Sequence, residues 1–147
     1  MQRTLILLKP DAVQRRLVGE VTARFERKGL RLVGLKMVAP TRETAESHYA
    51  VHKGKPFYPA LLEFLQSGPV VAMVWEGREA VAVGRALMGT TDSAKSPPGT
   101  IRGDFSVAVQ HNLVHGSDNV ENAAAEVALW FRPDELVSYA GADADWV

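Results

Sequence analysis

The 147-residue chain contains no cysteine. This absence excludes disulfide bonds, thiol catalysis, and zinc or iron–sulfur sites with cysteine ligands. Long hydrophobic runs are also missing. The apolar stretch near the N-terminus, residues 5–8, is too short for the core of a signal peptide or for a membrane span. We therefore expect a cytoplasmic protein with no membrane partner.

The chain also lacks an excess of charge of either sign. It has 17 basic and 17 acidic residues, and its sequence pI is about 6.9. General nucleic-acid binders usually carry a clear basic excess, so the charge does not support nucleic-acid binding. The hydrophobic fraction of 46% is sufficient for a sizeable core. No repeat, low-complexity tract or linker divides the chain, and its length predicts a single domain over residues 1–147.

Both glycine-rich loops that commonly bind phosphate, G-x-x-x-x-G-K-[ST] and G-x-G-x-x-G, are missing. Gly54 and Lys55 match the end of the first loop. However, Tyr49 occupies the position of its upstream glycine, and Pro56 follows the lysine. A P-loop or Rossmann-type mechanism is therefore not expected.

Two histidine pairs have the i, i+4 spacing that suits a metal site on a helix: His48 with His52, and His111 with His115. Neither pair belongs to an H-E-x-x-H motif, and the second pair flanks a predicted strand end next to a glycine. We therefore expect no transition metal bound directly by protein side chains.

The spacing of apolar residues predicts alternating strands and helices. The continuously apolar run at residues 70–75 is typical of a central strand that is buried on both faces. The predicted strands cover residues 4–8, 30–38, 70–75 and 105–109. The predicted helices cover residues 18–28, 42–48, 59–65, 81–88 and 120–131, and a short helix begins at Pro133.

This order of elements reduces to βαββαβ with additions, which is a split βαβ sandwich. Residues 89–104 do not fit the pattern, because these 16 residues show no periodicity. Unstructured segments of this length inside compact domains are usually functional or disordered.

His115, in the run Asn112-Leu-Val-His-Gly-Ser-Asp118, is the strongest candidate for a chemical role. Asp118, with Glu121 three residues later, resembles the start of a helix, and this predicts that the imidazole lies in an accessible turn beside a positive helix end. A neutral imidazole can attack phosphorus when an acceptor holds its other nitrogen. Glu126, at the edge of the apolar stripe of that helix, is a candidate acceptor. The alternatives are an exposed or structural histidine and a solvated glutamate.

Three cations, Lys9, Arg85 and Arg102, lie at the ends of predicted elements or in the long loop. Each alone is typical of a surface charge, but together they would form a polyphosphate site. Phe57 lies between two prolines, which would hold its ring rigidly in a loop. The ring is either part of the core or stacked on a planar ligand.

Four motifs together resemble the nucleoside diphosphate kinase family over essentially the whole chain. They are Lys9-Pro-Asp11 with Val13-Gln-Arg15, then residues 68–77, residues 99–105 and residues 112–118. The resemblance implies an α+β fold, the ferredoxin-like βαββαβ sandwich with a four-stranded antiparallel sheet covered by helices. It also implies a ping-pong transfer of the γ-phosphoryl group from a nucleoside triphosphate to a nucleoside diphosphate through a phosphohistidine. ATP and GTP would be among the donors, and the transfer would maintain the cellular nucleotide pools.

The resemblance further implies a role for each matching residue. His115 would be the nucleophile, and Glu126 and Ser117 would hold and assist it. Phe57 would stack on the base with Val109 on its other side, which predicts broad base specificity. The residues that would contact the phosphates and ribose, or line their site, are Lys9, Tyr49, Arg85, Thr91, Arg102 and Asn112.

Mg²⁺ would be held mainly by the nucleotide phosphates and not by a protein cage. The family also implies a homo-oligomer, and the C-terminal segment through Trp146 favours a hexamer over a tetramer. One departure from the family pattern is Asp92-Ser93, where an Asn-Pro pair is usual. The missing proline is expected to lower the stability of the loop. Pro97-Pro98 would compensate for this loss by stiffening the unfolded state.

Two other functions stay open at this stage. A degenerate family member would bind nucleotide without turnover, but such a chain is expected to have lost His115, Lys9 or Arg102, and all three are present. A regulatory or nucleic-acid-binding role beside catalysis is disfavoured by the zero net charge but not excluded.

Overall fold

A computed structural model describes all residues, 1–147. Its four strands form one antiparallel sheet in the order β2-β3-β1-β4. This order is that of the predicted ferredoxin-like α+β fold, which is confirmed. The strands are β1 (Gln2–Leu8), β2 (Arg31–Val38), β3 (Val70–Gly77) and β4 (Val114–Gly116).

Seven α-helices surround the sheet: α1 (Pro10–Gln14), α2 (Val18–Lys28), α3 (Arg42–His48), α4 (Tyr58–Leu65), α5 (Ala80–Met88), α6 (Ile101–Phe105) and α7 (Val120–Trp130). Short 3₁₀ helices cover Ala50–His52, Ser93–Lys95 and Pro133–Glu135. No helix has both the length and the apolar character that crossing a membrane would require.

Two apolar clusters lie on opposite faces of the sheet. Successive side chains of a strand point to opposite faces, so Ile6 and Leu8 join the cluster with α2 and α5, whereas Leu5 and Leu7 join the cluster with α3, α4 and α7. The central strand β3 contributes to both clusters, as its continuously apolar sequence predicts. The second cluster forms the base of the site described below.

Helix boundaries follow local chemistry at several points. Thr41 caps α3 by accepting a hydrogen bond from the Thr44 amide at 3.1 Å. Gly29 ends α2 with a φ of 101°, a left-handed conformation that favours glycine. The cap of α7 differs from the prediction, because Asn119 and not Asp118 accepts the hydrogen bond from the Asn122 amide, at 2.7 Å.

The predicted fourth strand at residues 105–109 is wrong. Phe105 ends α6, whose first turn is capped by the Thr100 hydroxyl. Val107 and Val109 are exposed, so the alternation in this stretch follows a surface loop and not a sheet face. The true fourth strand, β4, begins at Val114 and pairs with β1 over three residues.

The structure also shows two features that the sequence patterns do not predict. The segment 89–104 is structured, because Ser93–Lys95 forms a helical turn and the Ser96 hydroxyl binds the backbone amide and carbonyl of Thr90. The Asp92 carboxylate caps that turn where the family usually has Asn-Pro. Helix α1 is the second feature, although Pro10, which follows the predicted first strand, is well suited to the first position of a helix.

Candidate active site

His115 lies in strand β4 and not in a turn, which corrects the sequence expectation. Its backbone is in register with Leu7 of β1. Because paired residues share a face of the sheet, the imidazole projects to the side that α3 and α7 cover. Its neighbours Val114 and Gly116 are buried, whereas the His115 side chain keeps 21% exposure. The strand therefore fixes the backbone and leaves the ring accessible.

Glu126 of α7 joins His115 to Ser117. Its Oε2 lies 2.9 Å from Nε2 of His115, and its Oε1 accepts a hydrogen bond from the Ser117 hydroxyl at 2.5 Å. Burial alone would raise the pKa of Glu126, but the interactions with His115 and Ser117 outweigh it and lower that pKa. The ionised carboxylate accepts a hydrogen bond from the Nε2–H group of His115, so the lone pair of the ring is at Nδ1.

The His115 ring opens into a pocket of about 410 Å³. Two other depressions of similar size, about 460 and 520 Å³, contain no histidine and no cluster of cations around one. The pocket is therefore distinguished by its histidines and cations and not by its size. Eight of the predicted site residues line it: Lys9, Tyr49, Arg85, Thr91, Arg102, Asn112, His115 and Glu126.

Lys9 follows strand β1 and donates to Oδ1 of Asn112 at 2.9 Å. The Asn112 amide in turn donates to the Thr91 carbonyl at 3.1 Å. Burial, together with the nearby charge of Arg102, lowers the pKa of Lys9 to about 8. Lys9 is still mainly protonated at neutral pH, and its ammonium group has few protein partners for its charge.

Arg102 is a buried cation that also holds the local backbone together. Its guanidinium donates to the carbonyls of Asn112, Gly89 and Val114 at 3.2, 3.2 and 2.7 Å. Burial lowers its pKa to about 10, and the charge of Arg85 contributes. These bonds tie α6 to both segments that flank the pocket, so Arg102 shapes the site as well as charging it.

Arg85, on helix α5, is the third cation that lines the pocket. It donates to the Gly116 carbonyl at 3.3 Å and forms an ion pair with Asp118 at 2.8 Å. Its side chain is 40% exposed, so solvent screens the pair and a phosphate could replace Asp118 as partner.

Sequence reasoning did not find the position of His48. The ring of His48 lies 4.5 Å from that of His115, nearly perpendicular to it, and its Nδ1 accepts a hydrogen bond from the Trp130 indole at 3.2 Å. The i, i+4 spacing pairs His48 with His52, because spacing along the sequence does not reveal a contact between α3 and β4. Next to His48, burial and then the charge of Glu126 raise the pKa of the Tyr49 phenol to about 12.

Phe57, Val109 and Ser117 are not part of the pocket wall. Ser117 is fully buried beneath it and bonds both Glu126 and the Leu5 amide. Phe57 and Val109 are both exposed. The Phe57 ring lies 5.3 Å from that of His52, which lines the pocket, so Phe57 is at the pocket edge.

Three side chains at the pocket lie close enough together to hold a metal ion. Nitrogen and oxygen atoms of His48, His115 and Glu126 lie within 4.8 Å of one another. Imidazole-rich sets suit transition metals, whereas Mg²⁺ prefers oxygen ligands. Both Glu126 oxygens accept hydrogen bonds, and Asp118 is paired with Arg85. The pocket therefore offers no free carboxylate cage for Mg²⁺.

A family model for nucleoside diphosphate kinase matches residues 2–136. The nucleoside diphosphate kinase of Carboxydothermus hydrogenoformans is 54% identical over 147 residues, which are all of this chain and 99% of that protein. Nucleoside diphosphate kinase B of Rattus norvegicus is 52% identical over 147 residues and 97% of its length.

Solved structures give the same result. A nucleoside diphosphate kinase family protein from Babesia bovis superimposes with a TM-score of 0.97 at 49% identity and 99% coverage of both chains. The halophilic nucleoside diphosphate kinase of Halobacterium salinarum, solved in complex with CDP, has a TM-score of 0.96 at 47% identity, with coverage of 99% and 97%. Sequence, fold and site chemistry agree, and the chain belongs to the nucleoside diphosphate kinase family.

Proposed function

We propose that this chain transfers a γ-phosphoryl group between nucleotides through a covalent intermediate on Nδ1 of His115. The observation that carries the proposal is the 2.9 Å contact of Nε2 with Glu126, beside a pocket lined by three cations. This contact keeps the proton on Nε2 and the attacking lone pair on Nδ1.

In the first half-reaction, Nδ1 attacks the γ-phosphorus of a nucleoside triphosphate. An N–P bond forms, the bond to the β–γ bridging oxygen breaks, and the diphosphate leaves with that oxygen. Glu126 stabilises the positive charge that develops on the ring, and Ser117 orients Glu126. In the second half-reaction, a terminal oxygen of a bound diphosphate attacks the same phosphorus and His115 regains its lone pair.

The cations and polar groups of the pocket would position the phosphates. Lys9, Arg85 and Arg102 supply positive charge, and charge-assisted hydrogen bonds to phosphate are among the strong ones. Asn112 connects Lys9 with Thr91, so these groups would meet the sugar and phosphates as one unit. Tyr49 would complete the wall beside His115.

Mg²⁺ would enter with the nucleotide and neutralise phosphate charge. The carboxylates of Glu126 and Asp118 in the pocket already have protein partners. This supports a metal that is carried by the phosphates. Phe57 at the pocket edge would stack on the base, with Val109 opposite. Stacking depends little on the pattern of hydrogen-bonding groups on the base, which supports broad base specificity. The CDP in the Halobacterium salinarum relative is consistent with a nucleotide occupant.

We further propose that residues 1–147 act as one domain within a homo-oligomer, with a hexamer favoured over a tetramer. The edge strand β2 supports self-association, because Leu35 and Met37 are 55% and 60% exposed there. A cytoplasmic location and a role in maintaining nucleotide pools are proposed with it, and the absence of cysteine is compatible with that location.

The test uses ATP labelled at the γ-phosphate with Mg²⁺. The protein is expected to become labelled, with the acid lability and alkali stability of phosphohistidine, and to pass the label to added GDP or CDP. His115→Ala should not become labelled. A labelled His115→Ala variant that turns over would contradict this assignment, and an unlabelled wild-type protein would contradict the covalent route itself.

A further inference from the structure

His48 is a titratable side chain at the site to which the mechanism above gives no role. It lines the pocket, and its ring lies edge-on against the nucleophile His115, with centroids 4.5 Å apart and planes at 78°. Burial, then the neighbouring His115, lowers the pKa of His48 to about 3. The ring is therefore uncharged at neutral pH and has one N–H donor and one acceptor nitrogen.

Trp130 determines which nitrogen is the donor. The indole N–H can only donate, and it points to Nδ1 of His48 at 3.2 Å. Nδ1 must then be the acceptor, which leaves the proton on Nε2. Trp130 is buried in the cluster beneath the site, so the direction of this hydrogen bond is fixed by a rigid part of the core.

The Nε2–H group of His48 has no protein acceptor in this structure. Its surroundings are suited to an anion, because Lys9, Arg85 and Arg102 line the same pocket, and the neighbouring carboxylate of Glu126 is already bonded to His115 and Ser117. A neutral donor in this position has an advantage over a fourth cation, since it adds a hydrogen bond to phosphate without adding repulsion among Lys9, Arg85 and Arg102.

We propose that Trp130 holds His48 in the tautomer protonated on Nε2, and that this N–H donates a hydrogen bond to the phosphoryl group as it transfers to His115. The inference rests on the proposed function of His115. It adds a catalytic donor, His48, and a positioning residue, Trp130, which acts through His48. Neither residue forms or breaks a covalent bond.

The first measurement needs no variant. Nitrogen-15 NMR of the histidine rings in the wild-type protein should show His48 protonated on Nε2 at neutral pH. In Trp130→Phe the indole donor is lost, and the His48 signals should shift towards a mixture of tautomers. A wild-type spectrum with the proton on Nδ1 would overturn the proposal.

The second measurement is the single-turnover rate of phosphohistidine formation. His48→Phe keeps a ring against His115 but has no donor, so the rate should fall about 10- to 100-fold, the range for a hydrogen bond to a charged group. Its dissociation constant for ADP should stay within about threefold of wild type, because the lost hydrogen bond is made only to the transferred group, which ADP lacks. His48→Gln supplies an amide N–H and should recover most of the rate.

His111→Phe is the matched control, because His111 packs against Phe64 and does not line the pocket. It should react at the wild-type rate. Wild-type speed in His48→Phe, or equal losses in His48→Phe and His48→Gln, would overturn the donor role. If wild type and His111→Phe form no phosphohistidine, the proposed function fails instead, and this inference fails with it.

Discussion

At the residue scale, the cations around His115 differ in what they contribute to folding. Arg102 donates three hydrogen bonds to backbone carbonyls, whereas Lys9 makes one to a side chain and keeps a charge that burial disfavours. The sequence motifs predict that both residues contact the phosphates. The motifs do not distinguish them, because the carbonyls that Arg102 binds come from segments 10 to 13 residues away whose fold was not predicted.

Lys9→Met should therefore raise stability and lower activity. Burial holds the pKa of Lys9 near 8, below the value of 10.5 in an unfolded chain. Between these two pH values the unfolded state binds more protons, so wild-type stability rises as pH increases across that window. At pH 7 both states are protonated, and the cost of burying the charge is present in full.

We expect the melting temperature of Lys9→Met at pH 7 to exceed that of wild type by about 2–4 °C for each kcal/mol recovered. The difference should shrink as the pH rises from 8 to 10. ADP affinity should fall about 10- to 100-fold, as for other charge-assisted contacts. Thermal melts and a binding titration measure both effects, and a variant less stable than wild type at pH 7 would show that the bond to Asn112 dominates.

At the element scale, sequence patterns predicted the long elements and missed the short ones near the site. β3 and α7 are long enough for their apolar patterns to identify them, whereas β4 has three residues and α6 has five. Leu113, just before β4, has a φ of 74°, which is uncommon for a residue other than glycine. Two hydrogen bonds hold Leu113 in this conformation. Its amide donates to the Asp11 carboxylate, and its carbonyl accepts from the backbone amide of Lys9. Such long-range support is not visible in a local sequence pattern.

Helix α6 offers a test of how the loop positions Arg102. A Cβ at Gly103 would overlap the Pro97 carbonyl oxygen and approach the Thr100 hydroxyl to 2.7 Å. Gly103→Ala should displace the start of α6 and destabilise the protein by about 1–3 kcal/mol, as overpacking usually does. The rate of phosphoryl transfer should fall as well, because Arg102 moves with the helix.

Gly19→Ala is the matched control, because a Cβ at this position in α2 meets no atom within 4 Å. This variant should be more stable than wild type by about 0.5–1 kcal/mol, the usual gain for alanine over glycine in a helix. Denaturant unfolding and steady-state rates of both variants give the comparison. Equal stability in the two variants would argue against close packing at Gly103.

At the scale of the whole molecule, the site depends on topology. The central position of β1 between β3 and β4 places Lys9 at one end of β1 and His115 opposite Leu7. Helices α3 and α7 then bring His48 and Glu126 to the same face. The order of the long elements could be predicted from periodicity, and the motifs pointed to residues that the fold brings to one pocket. The contacts between remote residues required the folded chain.

The exposed apolar side chains of the edge strand β2 lead to a prediction about assembly. The C-terminal segment bonds the Leu32 and Val33 carbonyls at the start of this edge. The part of the edge that carries Leu35 and Met37 is not covered in this way and favours pairing with another copy. Sedimentation should give a mass several times the 16.0 kDa of one chain. Leu35→Glu combined with Met37→Glu should shift the protein towards smaller species. A wild-type protein that sediments as a single chain would rule out the proposed oligomer.

The three carbonyl contacts of Arg102 also have a consequence for tolerance to mutation. In a library scored separately for protein abundance and for catalytic output, substitutions at position 102 should fail both selections. The same guanidinium bonds three backbone carbonyls and, in the proposed mechanism, contacts the phosphates. Substitutions at position 9 should fail only the second. Lys9 and Arg102 have the same predicted role in their sequence motifs. The two selections would distinguish them, because only Arg102 contributes to folding in the absence of nucleotide.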